Sequence, residues 1–292
     1  MNILIALLPA LFWGCTPLWA HVCGGKPIQQ LVGTTYGALI VGIAILLIKQ
    51  PTITASDFWW CFLGGIGWSI GQLSQYNAFI KLSVSTTTPI TAGTQLACVN
   101  VIGVLFFGSW QSNLAKIIGF SAMILIILGV FLTTRTGQKH QSVANKRAFA
   151  KNIIQLILGT GIGYTACSTL PRIPNAQGWA TFPPQTVGMI VSAVVFSLLI
   201  KKYRAQKPLL SSKTFKNLLT GFNSGLGTFS YLISMILNGV STGFTLSQMT
   251  TVVATFVGLV ILHEHKTGRS LFYTLSGVVL VVLGGVMTGF IH

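Results

Sequence analysis

Part of the first half of the chain recurs in the second half, with a shift of about 155 residues. Residues 84–86 (Val-Ser-Thr) return as residues 240–242, and residues 128–129 (Leu-Gly) return as residues 283–284. Each copy holds about five apolar segments of membrane-spanning length. An odd number of crossings per copy turns the second copy upside down, which is typical of carriers that work by alternating access. The repeat therefore predicts two inverted halves.

The composition of the chain indicates a lipid environment. Of its 292 residues, 52% are hydrophobic and 7% are charged, whereas about a quarter of the residues in a soluble domain are charged. A helix that crosses the hydrocarbon core of a bilayer needs about 20 apolar residues. Ten stretches satisfy this length: 2–20, 30–48, 58–80, 84–107, 114–133, 153–171, 180–200, 217–237, 240–263 and 270–290. We therefore expect an all-α integral membrane protein with ten transmembrane helices.

The longest polar stretch separates these ten segments into two sets of five. It covers residues 135–151 and is rich in basic side chains. We predict a first five-helix repeat over residues 1–134, a basic cytoplasmic linker over 135–151, and a second five-helix repeat over 152–292.

The basic residues predict the orientation of the chain. It carries 18 Lys and Arg against 2 Asp and Glu, and 15 of the 18 fall in the odd-numbered loops between the predicted spans. Cytoplasmic loops carry an excess of Lys and Arg, so we expect a multi-pass protein of the plasma membrane with both termini extracellular. A nucleic-acid-binding protein would instead spread its basic residues over a soluble face, and we expect no nucleic-acid partner.

The side chains needed for enzymatic chemistry are scarce. Asp57 and Glu264 are the two carboxylates, so paired acid–base catalysis is excluded. The five cysteines lack the paired spacing of a metal site, and no phosphate-binding loop for ATP is present. We predict that the protein is not an enzyme and has no cofactor and no metal. Asp57, at the start of the third span, is interpreted as a helix cap.

Neutral polar groups lie beside aromatic residues within several predicted spans. Amide side chains supply both a donor and an acceptor, and aromatic rings offer apolar faces, so together they suit a neutral polyhydroxylated ligand. The candidate contacts are Trp13, Trp68, Gln72, Gln75, Gln95, Tyr164, Tyr231 and Gln248. The alternative is that these groups hold one helix against another in the bilayer.

Glu264 lies at the cytoplasmic end of the ninth predicted span, between two histidines. An acid close to a span can carry a coupled proton, which makes Glu264 the candidate for proton coupling. The alternative is an ion pair with Lys266 or Arg269.

Several short motifs occur in one order along nearly the whole chain. They are residues 9–14 (Pro-Ala-Leu-Phe-Trp-Gly), 33–42 (Gly-Thr-Thr-Tyr-Gly-Ala-Leu-Ile-Val-Gly), 84–86 with Pro89, 94–96 (Thr-Gln-Leu), 247–248 (Ser-Gln) and 261–264 (Ile-Leu-His-Glu). Together they resemble the bacterial glucose/ribose uptake proteins of the drug/metabolite transporter superfamily. The resemblance implies two inverted five-helix repeats around a central sugar cavity lined by the first, third, fourth, sixth, eighth and ninth spans, and uptake driven by a proton gradient.

Two positions depart from the pattern of that family. The fourth span ends in residues 107–109 (Phe-Gly-Ser), where the family usually has a Leu-Gly-Glu-type sequence, and His263 stands where Gly is usual. One acid is therefore missing from the first half, so the resemblance implies sugar uptake more directly than it implies proton coupling.

The predicted function is that of a monomeric secondary carrier that imports a monosaccharide, glucose or ribose, together with a proton. One alternative is an exporter of amino acids or other small metabolites. A second is a membrane protein that senses sugar without transporting it. The expected partners are the sugar, the proton and membrane lipids.

Overall fold

A computed structural model describes residues 3–135, 143–176, 178–239, 243 and 246–289. Within these ranges the regular secondary structure is entirely helical. The helices are α1 (Ile3–Cys23), α2 (Pro27–Lys49), α3 (Ala55–Leu82), α4 (Val84–Phe106), α5 (Asn113–Thr133), α6 (Val143–Thr169), α7 (Phe182–Leu199), α8 (Lys201–Arg204), α9 (Ser212–Lys216), α10 (Leu218–Asn238), α11 (Thr250–Phe256) and α12 (Gly268–Gly289). A π-helical turn, Val257–Ile261, continues α11.

Seven of the described helices are long and apolar enough to cross a membrane. They are α1, α2, α4, α5, α6, α7 and α12, so the chain is a multi-pass, all-helical protein. The third and eighth predicted spans form the helices α3 and α10, which are long but carry more polar side chains. The ninth predicted span is described as a shorter helix from Thr250 to Ile261.

One helix start differs from that predicted from the sequence. Helix α6 begins at Val143, inside the segment assigned to the linker, because a helical backbone continues through its basic residues. Residues 136–142 lie outside the described ranges, as do residues 240–242, the second copy of the Val-Ser-Thr motif.

The helix contacts come in matched pairs. Helix α3 packs against α6 and α7, as α10 packs against α1 and α2. Helix α4 contacts α5 and α6, as α11 contacts α12 and α1. Further contacts join α2 to α7, α5 to α12, α4 to α11, and α4 to α12. If the first five helices are exchanged with α6, α7, α10, α11 and α12, in that order, every contact named here is reproduced except the one between α4 and α12.

Two glycines permit equivalent close helix crossings. A Cβ atom on Gly37 of α2 would overlap the carbonyl oxygen of Leu218 on α10, and a Cβ on Gly188 of α7 would overlap that of Phe62 on α3. Small residues let helix backbones approach in lipid, where no hydrophobic force drives association. The same crossing therefore occurs once in each set of contacts.

Helix α3 begins with a reciprocal cap. The Thr54 hydroxyl accepts a hydrogen bond from the backbone N–H of Asp57, at 3.1 Å, and the Asp57 carboxylate accepts one from the N–H of Thr54, at 3.0 Å. Such a box satisfies two amides that the helix leaves unpaired. The interpretation of Asp57 as a cap is confirmed.

Candidate functional site

A phenol and two amides form a hydrogen-bonded cluster between α3 and α6. The Tyr164 hydroxyl lies 2.8 Å from Gln72 Oε1 and 2.9 Å from Gln75 Oε1, and its single proton donates to these two acceptors. Gln72 Nε2 lies 3.4 Å from Gln75 Oε1. The two glutamines are neighbours because they lie one turn apart on α3. Tyr164 and Gln72 are buried, whereas Gln75 is half-buried.

The position of the Tyr164 ring depends on a glycine. A Cβ atom on Gly71 would lie 2.7 Å from Tyr164 Cδ1, so any larger residue at this position displaces the ring. Tyr164 therefore lies flat against the backbone of α3, next to the two glutamines.

Gln95 extends this cluster to α4. Its Nε2 donates to the Ser168 hydroxyl at 3.0 Å, and that hydroxyl donates to the Tyr164 carbonyl at 2.9 Å. Ser168 was not identified from the sequence. The signal that could have found it is its spacing, since it lies four residues after Tyr164 on the same helix face.

Trp13 and Tyr231 form an aromatic pair between α1 and α10. Their ring centroids are 5.5 Å apart and tilted by 46°. Trp13 Nε1 donates to the Ser224 carbonyl at 3.2 Å. A Cβ atom on Gly227 would lie 2.5 Å from Trp13 Cδ1, so this ring too depends on a glycine.

Asn223 joins the same two helices. Its Nδ2 donates to the Phe12 carbonyl at 2.6 Å and approaches the Thr16 hydroxyl at 3.3 Å. These bonds satisfy a buried amide and hold α1 in place beside α10.

The two other predicted contacts, Trp68 and Gln248, lie beside apolar residues. Trp68 is half-buried and packs against two clusters of buried apolar residues. The side chain of Gln248 packs on α12, where its Cγ lies 3.2 Å from the position of a Cβ on Gly285, beside Leu96 of α4.

Glu264 caps the N-terminus of α4. Ser83 at the start of α4 makes no side-chain cap bond. The Glu264 carboxylate accepts hydrogen bonds from the N–H groups of Val84, at 2.5 Å, and Ser85, at 3.0 Å. The partial positive charge of a helix N-terminus favours an anion there. Glu264 thus links the loop between α11 and α12 to the start of α4.

Lys266 makes a second link at the same place. Its ammonium donates to the hydroxyls of Thr86 on α4, at 2.6 Å, and Thr274 on α12, at 3.0 Å. Burial lowers the pKa of Lys266 to about 8, and the nearby charge of Glu264 opposes that shift. The expected ion pair is thus replaced by bonds to the backbone amides and the two hydroxyls.

The chain after α4 and the chain after the π-helical turn share one type of backbone hydrogen bond. The N–H of Ser109 donates to the carbonyl of Gly103 at 2.9 Å, and the N–H of Glu264 donates to that of Gly258 at 3.1 Å. The residue before each has a positive φ, 64° at Gly108 and 51° at His263. The residue that donates this bond therefore carries a hydroxyl in the first half, at Ser109, and a carboxylate in the second half, at Glu264.

A further pocket lies between α2, α7 and the start of α3. Its wall is mostly apolar and includes Leu46, Phe58 and Pro183. It is too poor in hydrogen-bonding groups to recognise a polar ligand. The polar clusters between α3 and α6 and between α1 and α10 are the better candidate site.

The chemistry of those two clusters is neutral. Phenol, amide and hydroxyl groups exchange hydrogen bonds with a ligand without requiring charge, and tryptophan and tyrosine rings add apolar faces. Among the described residues, no group of three His, Cys, Asp or Glu could hold a metal ion. The arrangement suits a small polyhydroxylated molecule.

Comparison with known proteins relates this chain to sugar transport proteins. The family described as "Sugar transport protein" matches residues 4–291. A putative ribose uptake protein of Latilactobacillus sakei is 37% identical over 294 residues, covering 100% of this chain and 99% of the relative. The glucose uptake protein of Bacillus subtilis is 36% identical over 289 residues, covering 99% of this chain and 98% of that protein.

A solved crystal structure resembles this chain with a TM-score of 0.59 at 15% sequence identity, covering 98% of this chain and 96% of the other. That likeness concerns the fold alone. A putative sugar uptake protein of Listeria monocytogenes is 38% identical over 289 residues, which is 99% of both chains. The chain belongs to the sugar transport protein family.

Proposed function

We propose that this protein imports a monosaccharide, glucose or ribose, across the plasma membrane. The observation that carries the proposal is the Tyr164 hydroxyl bonded to Gln72 and Gln75 within the helical bundle. The amide NH2 of Gln75 makes no hydrogen bond to the described residues and is free to donate to a sugar hydroxyl. The names of the relatives, glucose uptake and ribose uptake, agree with this ligand.

In this proposal, the aromatic pair between α1 and α10 is the second wall of the site, opposite the phenol and amide cluster. A pyranose or furanose ring has an apolar face that packs on indole and phenol rings, while its hydroxyls point towards amides. Trp13 and Tyr231 supply the rings, and Gln95 extends the polar wall. The roles of Trp68 and Gln248 as sugar contacts stay predictions.

An exporter of cations or amino acids is the weaker candidate. Such a carrier needs a carboxylate in the membrane to pair with a positive charge. Asp57 is held in a helix cap with Thr54, and Glu264 is held by Val84 and Ser85. Neither carboxylate adjoins the phenol and amide cluster.

Transport proceeds by alternating access between two inverted five-helix repeats, in a ten-span chain that works as a monomer. The paired helix contacts, the matched crossings of Gly37 and Gly188, and the similar loop ends at Ser109 and Glu264 support this arrangement. Both termini then lie on the same side, because the crossing number is even, and the basic odd-numbered loops assign that side to the outside of the cell.

Uptake is coupled to protons through Glu264. Protonation neutralises the carboxylate that two amides of α4 bind, and so weakens the link between α4 and the loop after α11. A proton bound at Glu264 thereby changes how firmly the start of α4 is held to the loop after α11. An alternating carrier needs such elements to move relative to each other.

The test is uptake of radiolabelled glucose and ribose into proteoliposomes with an imposed pH gradient. We expect one of the two sugars to accumulate, and an uncoupler to abolish the accumulation. Binding of a sugar without any flux would favour the sensor alternative. Transport of neither sugar would end the proposal.

A further inference from the structure

The segment between α7 and α10 is strongly basic. Residues 200–217, which we call the basic shelf, contain α8 and α9 and no carboxylate. Its six cationic side chains are all exposed: Lys201, Lys202, Arg204, Lys207, Lys213 and Lys216. A surface of this charge attracts a polyanionic partner.

The basic shelf is fixed to the helical bundle. Gln29 Nε2 donates to the carbonyl of Gln206 at 3.3 Å, and Asn217 Nδ2 donates to the carbonyl of Gly24 at 2.9 Å. Pro208 is buried beneath it. These bonds hold the segment against the loop between α1 and α2, so the cations project from a defined surface.

Two large apolar side chains project among these cations. Leu210 is 82% exposed and Phe215 is 48% exposed. Lys207 and Lys213 flank Leu210, and Lys213 and Lys216 flank Phe215. Basic residues interleaved with exposed apolar ones are typical of segments that lie at the interface of an anionic membrane.

The chain has no side-chain counterion to offer this surface. Helix α2 begins beside the shelf at Pro27 and ends at Lys49, about 35 Å away for 23 residues at 1.5 Å each. Asp57 follows Lys49 and caps α3 at that far end. Both carboxylate oxygens of Glu264 are held by amides of α4. The compensating negative charge must therefore come from outside the chain.

We propose that the basic shelf binds the phosphate headgroups of anionic membrane lipids, with Leu210 and Phe215 at the boundary between headgroups and acyl chains. Polybasic segments next to a membrane are attracted to anionic lipids in this way. Because the shelf is bonded to the α1–α2 loop and leads into α10, the bound lipid stabilises the junction of α1, α2 and α10. This inference goes beyond sugar transport and does not rest on it.

The experiment measures the thermal midpoint of the full chain in phosphatidylcholine nanodiscs with and without phosphatidylglycerol. We expect phosphatidylglycerol to raise the midpoint, and high salt to reduce the gain. The variant Lys207→Gln/Lys213→Gln/Lys216→Gln should lose most of the gain. The matched control, Lys146→Gln/Arg147→Gln/Lys151→Gln, removes the same charge from the start of α6 and should keep it.

Three further measurements separate the contributions of the charges, the apolar side chains and the phosphate group. Leu210→Ser/Phe215→Ser keeps every charge and should also lose part of the gain, whereas arginine at the three lysine positions should retain it. Inorganic phosphate added to phosphatidylcholine nanodiscs should give no gain. Equal loss in both charge-removal variants, an equal gain with free phosphate, or no gain for the wild-type chain would each overturn the proposal.

Discussion

The contact of α6 with α3 and the contact of α1 with α10 share their packing but differ in their chemistry. In both, an aromatic ring lies flat on a glycine: Tyr164 on Gly71, and Trp13 on Gly227. Beyond the ring, Tyr164 meets side-chain amides, whereas Trp13 bonds a backbone carbonyl and faces Tyr231. Equivalent packing thus places side-chain amides beside Tyr164 and a second aromatic ring beside Trp13.

That difference suits a ligand that has both polar and apolar surfaces. A sugar presents hydroxyls around its rim and C–H groups on its faces, so unlike walls bind it better than two identical ones. In our proposal, the paired packing stabilises the fold, and the unlike side chains recognise the sugar.

The largest expected effect comes from removing the shared packing. Gly71→Val and Gly227→Val each place a side chain into a ring, and over-packing of this kind costs about 3 kcal/mol. We expect both variants to lose thermal stability to a similar degree, as measured by unfolding in detergent. Gly64→Ala is the matched control on α3, because its new Cβ meets neighbours at 3.5 Å. A large loss in only one of the two valine variants would show that the contacts are not equivalent.

The next largest effect distinguishes Glu264, in the loop after α11, from Ser109, in the loop after α4. Glu264→Gln removes the charge that holds the amides of Val84 and Ser85, so gradient-driven accumulation should be lost while sugar exchange continues. The matched change in the other half, Ser109→Ala, should leave accumulation intact. Unchanged accumulation in Glu264→Gln would remove the coupling role of that residue.

A smaller effect is expected from the α4 side of the polar wall. Gln95→Leu removes the amide that we propose contacts the sugar, and one hydrogen bond to the ligand is worth about 1 kcal/mol, so the apparent KM for sugar should rise about fivefold. Thr160→Val, on α6 one turn before Tyr164, removes a hydroxyl that bonds the Leu156 carbonyl. It should leave KM near the wild-type value. An equal change in both variants would assign Gln95 to packing.

The last effect concerns pH and is confined to alkaline solution. The folded pKa of Lys266, about 8, lies below the ordinary value of 10.5, so the unfolded chain binds more protons between these values. The contribution of Lys266 to the free energy of unfolding therefore rises as pH increases from about 8 towards 10.5. Below pH 8 this contribution is constant. Comparing the thermal midpoints of the wild type and Lys266→Met across this range isolates the contribution. A difference that does not change with pH would contradict it.

Part of this account could be predicted from the sequence because it rests on helical spacing. Gln72 and Gln75 share a face of α3 whatever surrounds them, and the length and polarity of α3 follow from its residues. The partner of that face could not be predicted, since Tyr164 lies 92 residues away from Gln72.

Other features leave no local signal. Glu264 caps a helix that begins 180 residues earlier, and no motif near Glu264 indicates which helix it serves. Trp68 precedes the glutamines on α3, and its packing against two apolar clusters likewise could not be predicted from that spacing. Sequence spacing orders residues along one helix, and tertiary packing decides what they meet.

The central claim is that one sugar contacts both unlike walls. It is tested most directly by the equilibrium Kd for the transported sugar, without any gradient, in Tyr164→Phe and in Trp13→Phe. We predict that each variant weakens binding about tenfold, the effect of about 1.4 kcal/mol, while Tyr273→Phe on α12 binds normally. Weakened binding in only one of the two variants would contradict the claim, because the sugar would then contact a single wall.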